Sequence, residues 1–172
     1  MLRLATVDQN GDDGCWLIVV YGPTDHALKE GFLSEFEGLA TTCTGPCLIC
    51  CDFNLIYQAQ DKNNARLNCR LMQRFRRTID ALQLAELHLY GRLYTWSNER
   101  TRPTLERIDR VFSMVPWLES HPFHHLHCRS NGCSDHTPLL LVLFTEPWVL
   151  PRLHFEAFSP FVQGFAEVVV GA

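Results

Sequence analysis

Short apolar runs joined to polar residues set the strongest limit on the fold of this chain. Residues 16–21 and 47–51 are such runs, and the second leads directly into Asp52. A third run, 139–144, follows a polar tripeptide that ends in His136. Runs of this length that are rich in apolar and β-branched residues favour buried strands over helices. The sequence therefore predicts several strands that carry carboxylate, amide and imidazole groups at their ends, in a fixed order.

Two further segments have helical spacing. Apolar residues recur every three to four positions up to about residue 41, and Thr24 or Asp25 precedes them as a candidate cap. A second stripe of this kind predicts a helix over 70–82, and the polar segment 55–69 before it is expected to be a surface loop.

The second half of the chain has the pattern of an antiparallel unit. Residues 94–96 and 106–112 predict a hairpin with its turn within 98–103. A short helix is expected over 116–119 and a buried strand over 139–144. Strand–helix–strand–helix followed by hairpin strands is typical of an α/β layered sandwich.

The size, composition and charge of the chain indicate a single globular domain rather than a membrane protein or a strongly basic nucleic-acid binder. Its 172 residues suit one domain, and 47% hydrophobic with 20% charged residues is an ordinary globular composition. No run reaches the roughly 18 apolar residues of a membrane span, and residues 1–13 do not have the pattern of a signal peptide. We therefore expect a nuclear or cytoplasmic protein that is not secreted. A net charge of −4 argues against a broad nonspecific DNA surface but leaves room for a local basic patch.

Eight cysteines without a signal peptide predict reduced thiols. Four of them are closely spaced in a way that resembles a zinc-binding cluster: Cys43, Cys47, Cys50 and Cys51. A strand over 47–51 would turn Cys47 and Cys50 to opposite faces, which favours packing. The histidine-rich segment 121–128 is interpreted as a connecting loop, with metal binding as the alternative.

Five sequence words, which run in order from about residue 16 to residue 144, carry a resemblance to a known family. They are VYGP, DFN, YTWSN, RIDRVF and SDHTPL. In these words the chain resembles the endonuclease/exonuclease/phosphatase superfamily, and it looks closest to the endonuclease domain of plant LINE-type (non-LTR) retrotransposons. The resemblance implies a DNase I-like four-layer αββα sandwich and metal-dependent hydrolysis of DNA phosphodiesters.

The resemblance also implies roles for single residues. Asp52 would orient or deprotonate the attacking water, and Asn54 would donate to a phosphate oxygen or help to hold a metal-bound water. His136 would donate a proton near the scissile phosphate, with Asp109 fixing its tautomer. Tyr21 would contact the same phosphate.

Each of these roles has a plainer alternative. Asp52 and Asn54 are common turn residues, and Tyr21 is a common strand residue. Asp109 would otherwise form a salt bridge with Arg107 or Arg110.

The expected cofactor is Mg²⁺ or Mn²⁺, held by Asp135 and Asp52 and weakly by Asn54. The alternative role of Asp135 is to cap the turn that follows it. DNA is the expected partner. The predicted substrate-binding residues share aromatic, amide or cationic side chains; they are Trp96, Asn98, Arg70, Arg74 and Arg77. A core position for Trp96 and a solvated helix face for the arginines are the alternatives.

The family pattern begins upstream of VYGP with strands that carry an Asn and the principal metal-binding Glu. Residues 1–15 contain Asp8 and Asp13 but no apolar strand and no Glu. We therefore expect a non-family segment 1–15, a truncated domain over 16–145 that lacks the first strands, and a linker-like tail over 146–172 toward a missing reverse transcriptase. Cys51 stands where the family usually has Gly.

Three functional hypotheses follow from these patterns. The first is a metal-dependent endonuclease with reduced metal affinity and weak or no activity alone. The second is a non-catalytic remnant or interaction module that associates through exposed strands. The third is a zinc-binding module built from Cys43, Cys47, Cys50 and the histidine-rich segment.

Overall fold

Two sheets and a hairpin contain the strands of the computed structural model, which describes residues 2–7, 15–129 and 134–146. The first sheet has five strands in the order β1-β2-β3-β8-β4, and the second has three in the order β10-β9-β5. The hairpin pairs β6 with β7. The strands are β1 Leu2–Val7, β2 Cys15–Tyr21, β3 Cys47–Asp52, β4 Ala85–Glu86, β5 Leu89–Tyr90, β6 Trp96–Ser97, β7 Leu105–Glu106, β8 Asp109–Ser113, β9 His124–Cys128 and β10 Leu139–Leu143.

The central strands of the first sheet determine where the polar strand ends meet. Strand β2 runs parallel to β3 and ends with Tyr21 opposite Asp52. Strand β8 runs antiparallel to β3 and begins with Asp109 opposite Asp52. Gly22 is required just after β2, because a Cβ there would lie 2.0 Å from the carbonyl oxygen of Phe53. The backbones after β2 and β3 therefore pack too closely for any side chain at this point.

The predicted helices are confirmed to within a few residues. Helix α1 spans Lys29–Ala40 and follows a 3₁₀ turn, His26–Leu28, that Asp25 caps. Helix α2 spans Cys69–Ala81, and Asn68 caps its first turn. Helix α3 spans Val115–Ser120 and carries a proline in its first turn.

Two apolar clusters separate three layers of structure. One cluster lies between the first sheet and helices α1 and α2, and aromatic rings such as Phe36, Phe53 and Phe112 form its centre. The other lies between the two sheets and includes Val111 and Leu126. The layer order helix–sheet–sheet explains why β3 is apolar on both faces, since each face meets a different cluster.

Several sequence predictions need correction. Residues 124–128 form strand β9 rather than a loop. Leu126 points inward between partly exposed histidines, which is the alternation of a strand with one buried face. The sequence did not indicate a strand here because four of the five residues are histidine or cysteine. Strand β10 is half-exposed rather than buried, since it lies at the end of its sheet. Residues 2–7 form strand β1, although no strand was expected there. Strands β4 and β5, of two residues each, were also missed.

The predicted hairpin is partly confirmed. Strands β6 and β7 pair as expected, but the second arm then bends, and β8 joins the first sheet instead. Of the expected tail, residues 147–172 lie outside the described residues, as do Asp8 and Asp13. In the described part of the chain, no helix is long and apolar enough to cross a membrane.

Candidate functional site

The candidate site lies where β2, β3 and β8 bring polar residues to the same edge of the first sheet. Asp52 and Asp109 are register partners, and both side chains are largely buried. Tyr21 is 61% exposed at the neighbouring strand end. These residues line a cavity of about 610 Å³ between the two sheets. Its walls also include Cys50, Cys51, Leu126, Ser134, His136, Leu139 and Leu141.

His136 reaches this cavity from the loop before β10. Its Nδ1 lies 3.0 Å from Oδ2 of Asp109 and 3.2 Å from Oδ1. The alternative salt bridges of Asp109 are not formed among the described residues, since Arg107 pairs with Glu86 and Arg110 pairs with Asp61 and Glu86. A carboxylate on Nδ1 leaves Nε2 of the imidazole for chemistry.

Thr95 holds the backbone of this pair in place. Its hydroxyl oxygen accepts hydrogen bonds from the amides of Ile108 (3.1 Å) and Asp109 (3.0 Å). Its carbonyl oxygen accepts a hydrogen bond from the amide of Thr137 at 2.7 Å. Thr95 therefore connects the start of β8 to the His136 loop. The YTWSN motif predicted functional roles for Trp96 and Asn98 but none for Thr95. A buried threonine has no distinctive sequence pattern, so its role could not be predicted.

Asn54 holds the carboxylate of Asp52. Its backbone amide donates to Oδ1 of Asp52 at 2.8 Å, and its side-chain Nδ2 donates to Oδ2 at 2.6 Å. The same Nδ2 donates to the carbonyl oxygen of Gly22 at 3.0 Å. Asn54 adopts a φ of 51°, which asparagine tolerates better than most residues. The turn role of Asn54 is thus present in the structure, and its donors point toward Asp52 and Gly22.

Burial raises the pKa of the Asp52 carboxyl to about 6, since removal from water disfavours the charged form. The backbone amide of Asn54 opposes this shift, and the nearby Asp109 adds to it. A pKa of about 6 places the ionisation of Asp52 close to neutral pH, the range in which a carboxylate serves as a general base.

Asp135 turns away from this cavity. Its Oδ2 accepts a hydrogen bond from Nε1 of Trp96 at 2.8 Å. It lines neighbouring cavities with Ser97 and Glu99, and Ser134 lines these cavities as well as that of Asp52. The metal-binding role expected for Asp135 stays a prediction. Trp96 is partly exposed beside Asp135 and is not a core residue.

The expected metal ligands Asp52, Asn54 and Asp135 line adjoining cavities rather than a single one. Mg²⁺ requires several oxygen ligands in near-octahedral geometry. Asp52 and Asp135 line different cavities, and Nδ2 of Asn54 donates to Asp52, so that a metal ion would bind the Oδ1 of Asn54 instead. Within residues 15–129 and 134–146, no three His, Cys, Asp or Glu side chains are grouped so that they could hold a metal ion. The Mg²⁺ ligand set of Asp52, Asn54 and Asp135 stays a prediction, and the zinc-module hypothesis finds no site in the described residues.

The predicted arginines lie on the helical layer, away from the strand ends. Arg74 joins the helices through a two-point contact with Glu37, at 2.5 Å and 3.0 Å. Arg70 is 3.5 Å from Glu30 and mostly exposed, and Arg77 is exposed on α2. The guanidinium of Arg74 thus stabilises the packing of the helices, and its role in substrate binding stays a prediction.

Asn98 closes the β6–β7 loop. Its Oδ1 accepts from the amide of Thr104 at 2.9 Å. It lies beside Trp96 and Asp135 in a shared cavity, so it remains next to the cleft although its side chain has a structural role.

Lys29 is a site residue that sequence reasoning missed, because it falls at the start of an amphipathic helix. Its side chain is buried, and its ammonium donates to the carbonyl oxygen of Asn54. Burial lowers the pKa of Lys29, and the nearby carboxylates of Glu106 and Asp52 oppose the shift. Lys29 lines a second cavity of about 620 Å³ together with Asn54, Arg66 and Trp96.

Cys51 also departs from expectation. Its φ is 96°, a backbone conformation that glycine adopts easily and other residues do not. The expectation of Gly at this point in the resembling family therefore has a physical basis.

Comparisons with known proteins identify the fold. No family model matches the sequence, and no curated protein matches it. The endonuclease domain of TRAS1, a telomere-specific non-LTR retrotransposon, superposes with a TM-score of 0.64 at 14% identity, over 84% of this chain and 64% of that one. The 3′ phosphatase NExo from Neisseria, bound to a product DNA hairpin, gives a TM-score of 0.64 at 17% identity, over 83% of this chain and 65% of that one. The chain thus spans just under two thirds of these structures, and it has a DNase I-like α/β fold.

Proposed function

We propose that this chain is a phosphodiesterase of the endonuclease/exonuclease/phosphatase superfamily that nicks DNA, related to the endonucleases of plant LINE-type retrotransposons. The observation that carries the proposal is the placement of Asp52 and the Asp109–His136 pair in one cavity at the strand ends. Two neighbours in fold, an endonuclease domain and a DNA-bound phosphatase, support DNA as the substrate.

The chemistry can be assigned to residues of this chain. Asp109 accepts from Nδ1 of His136, so that Nε2 of the imidazolium is left to donate a proton to a phosphate oxygen. Asp52, when ionised, accepts a proton from the attacking water, and Asn54 keeps its carboxylate in position. Tyr21 extends from the neighbouring strand end and is the proposed phosphate contact.

Divalent-ion dependence belongs to the proposal, with Mg²⁺ or Mn²⁺ as the ion. Of the three expected ligands, Asp52 alone lines the cavity with His136. We therefore expect weak ion binding and slow nicking by the isolated chain, and no catalytic role is assigned through the ion.

Nicking of supercoiled plasmid in Mg²⁺ and in Mn²⁺ tests this function. Wild type should nick, and His136→Ala should lower the rate by roughly 100-fold or more through loss of the proton donor. His88→Ala is the matched control, because His88 is an exposed histidine beside Tyr90 on the second sheet and does not line the cavity of Asp52. Equal nicking by wild type and His136→Ala, or none by folded wild type, would contradict the proposal.

A non-catalytic interaction module is the second candidate. Strand β10 lies at the end of its sheet, and its apolar residues Leu139 to Val142 are partly exposed. Such an edge can pair with a second copy of the chain. Sedimentation velocity over a range of concentrations tests self-association, and a monomer throughout would count against it.

A further inference from the structure

Cys50 and Cys51 place two sulfur atoms in the cavity of the candidate site. Their Sγ atoms are 3.5 Å apart, and both residues line the cavity beside Asp52. Neighbouring residues of a regular strand point to opposite faces. In β3, Leu48, Cys50 and Asp52 face the cavity, whereas Cys47 and Ile49 belong to the helix-side cluster. Cys51 breaks this alternation at its positive φ and turns its thiol toward that of Cys50.

We propose that Cys50 and Cys51 form a two-sulfur binding site for thiophilic ligands of low coordination number, with monosubstituted trivalent arsenicals as the class that fits. Such a ligand needs two thiolates and no third protein donor. This matches the site, because no third metal-ligating side chain completes a group there among the described residues.

The separation of the sulfur atoms favours chelation over a disulfide. Two bonds of about 2.3 Å to sulfur, at the angle of roughly 95–100° of a pyramidal trivalent arsenic, span about 3.4–3.5 Å, which matches the separation of the sulfur atoms here. A disulfide would require about 2.05 Å between sulfurs, and it prefers Cα atoms at least about 4.4 Å apart. Adjacent residues have Cα atoms about 3.8 Å apart, so the disulfide would be strained.

The binding step balances without an oxidant. An aryl arsenoxide, RAs=O, reacts with two thiols to form two As–S bonds. The two S–H protons leave with the oxide as one molecule of water, and arsenic stays trivalent.

The thiols of Cys43 and Cys47 also interact with each other, but they differ from Cys50 and Cys51 in access. Cys43 and Cys47 are buried in the helix-side cluster, where a ligand has no access. Cys69 is exposed on α2, and a single thiol cannot chelate. Cys133 lies outside the described residues, so its variant is included as a control.

Occupation of the site would obstruct the cavity next to Asp52. This consequence rests on the proposed function. The binding itself does not, because it is measured on the protein alone.

Phenylarsine oxide and intact-protein mass spectrometry test the site. Wild type should carry one adduct that a dithiol such as dimercaptopropanol removes and a monothiol at equal thiol concentration does not. Cys50→Ser and Cys51→Gly should each weaken apparent affinity by roughly 100-fold or more, since one-point attachment loses the effective concentration of the second thiol. Cys43→Ser and Cys133→Ser should bind like wild type.

Cys51→Gly is the decisive variant, because glycine adopts the backbone conformation of Cys51 easily and the variant is therefore expected to fold. An adduct of unchanged affinity in Cys51→Gly, or no adduct on folded wild type, would overturn the proposal. If wild type nicks DNA, the arsenical should inhibit nicking by wild type and should not inhibit nicking by Cys51→Gly. A chain that binds the arsenical but never nicks would disprove the proposed function and leave the dithiol site standing.

Discussion

Asp52 and Asp109 face each other on adjacent antiparallel strands, and it is Asp109 that contacts His136, with Oδ2 at 3.0 Å from Nδ1. Like charges directly opposite on a sheet are unfavourable. His136 contacts Asp109, whereas burial and the neighbouring carboxylate raise the pKa of Asp52 to about 6. The two carboxylates thus have different environments. This difference fits the two proposed roles, in which Asp109 orients His136 and Asp52 acts as the base.

The raised pKa of Asp52 predicts a specific pH dependence of stability. Between the ordinary value of 3.8 and about 6, the folded state binds more protons at Asp52 than the unfolded state does. Stability should therefore fall as pH rises through this window, by at most about 3 kcal/mol for this group. Urea unfolding from pH 4 to pH 7 should show this fall in wild type and not in Asp52→Asn. Parallel curves for the two proteins would mean that the pKa is not raised.

Loss of the Asp109 carboxylate should impair catalysis more than folding. Asp109→Asn retains the shape of the side chain but removes the carboxylate that contacts Nδ1 and orients the imidazole of His136, so plasmid nicking should slow by roughly 100- to 10,000-fold. Asp80→Asn, at an exposed position on α2, is the control and should nick like wild type. Comparable rates for the two variants would remove Asp109 from the proposed mechanism.

Cys51→Gly should stabilise the protein. A non-glycine residue at a φ of 96° carries strain of about 1–3 kcal/mol. Glycine relieves the strain but costs about 1 kcal/mol in chain entropy, so a net gain of roughly 1 kcal/mol is expected. Cys50→Gly, one residue earlier in the regular strand, should destabilise by a similar amount. Thermal unfolding of both variants checks the sign, and destabilisation by Cys51→Gly would refute the strain argument.

Thr95→Val should be strongly destabilising although it replaces only a hydroxyl with a methyl group. The amides of Ile108 and Asp109 would lose their acceptor inside the protein. Each buried amide left unpaired costs about 1–3 kcal/mol. Thr95→Ser keeps the acceptor and should lose far less. If chemical denaturation finds the two variants equally stable, the hydroxyl is not what holds the start of β8.

Local patterns in the sequence determined the main elements and the order of the polar groups. The spacing of apolar residues predicted α1, α2, β2 and β3, because a helix or strand that faces a core needs apolar residues at a repeating interval. The position of Asp52 after an apolar strand likewise followed from local sequence. The opposite faces of Cys47 and Cys50, predicted from alternation, are confirmed by their separate clusters.

Only the tertiary structure decided which of these groups meet. The contact between Asp109 and His136 spans 27 residues, and that between Trp96 and Asp135 spans 39. The sequence predicted that Arg74 contacts DNA, but it could not show that the packing of α1 against α2 places Glu37 beside this side chain. The positive φ of Cys51, and with it the contact between the two thiols, is likewise a property of the folded backbone. Periodicity is a property of neighbouring residues, whereas these contacts depend on strand register and on side chains distant in the sequence, so only the folded chain defines them.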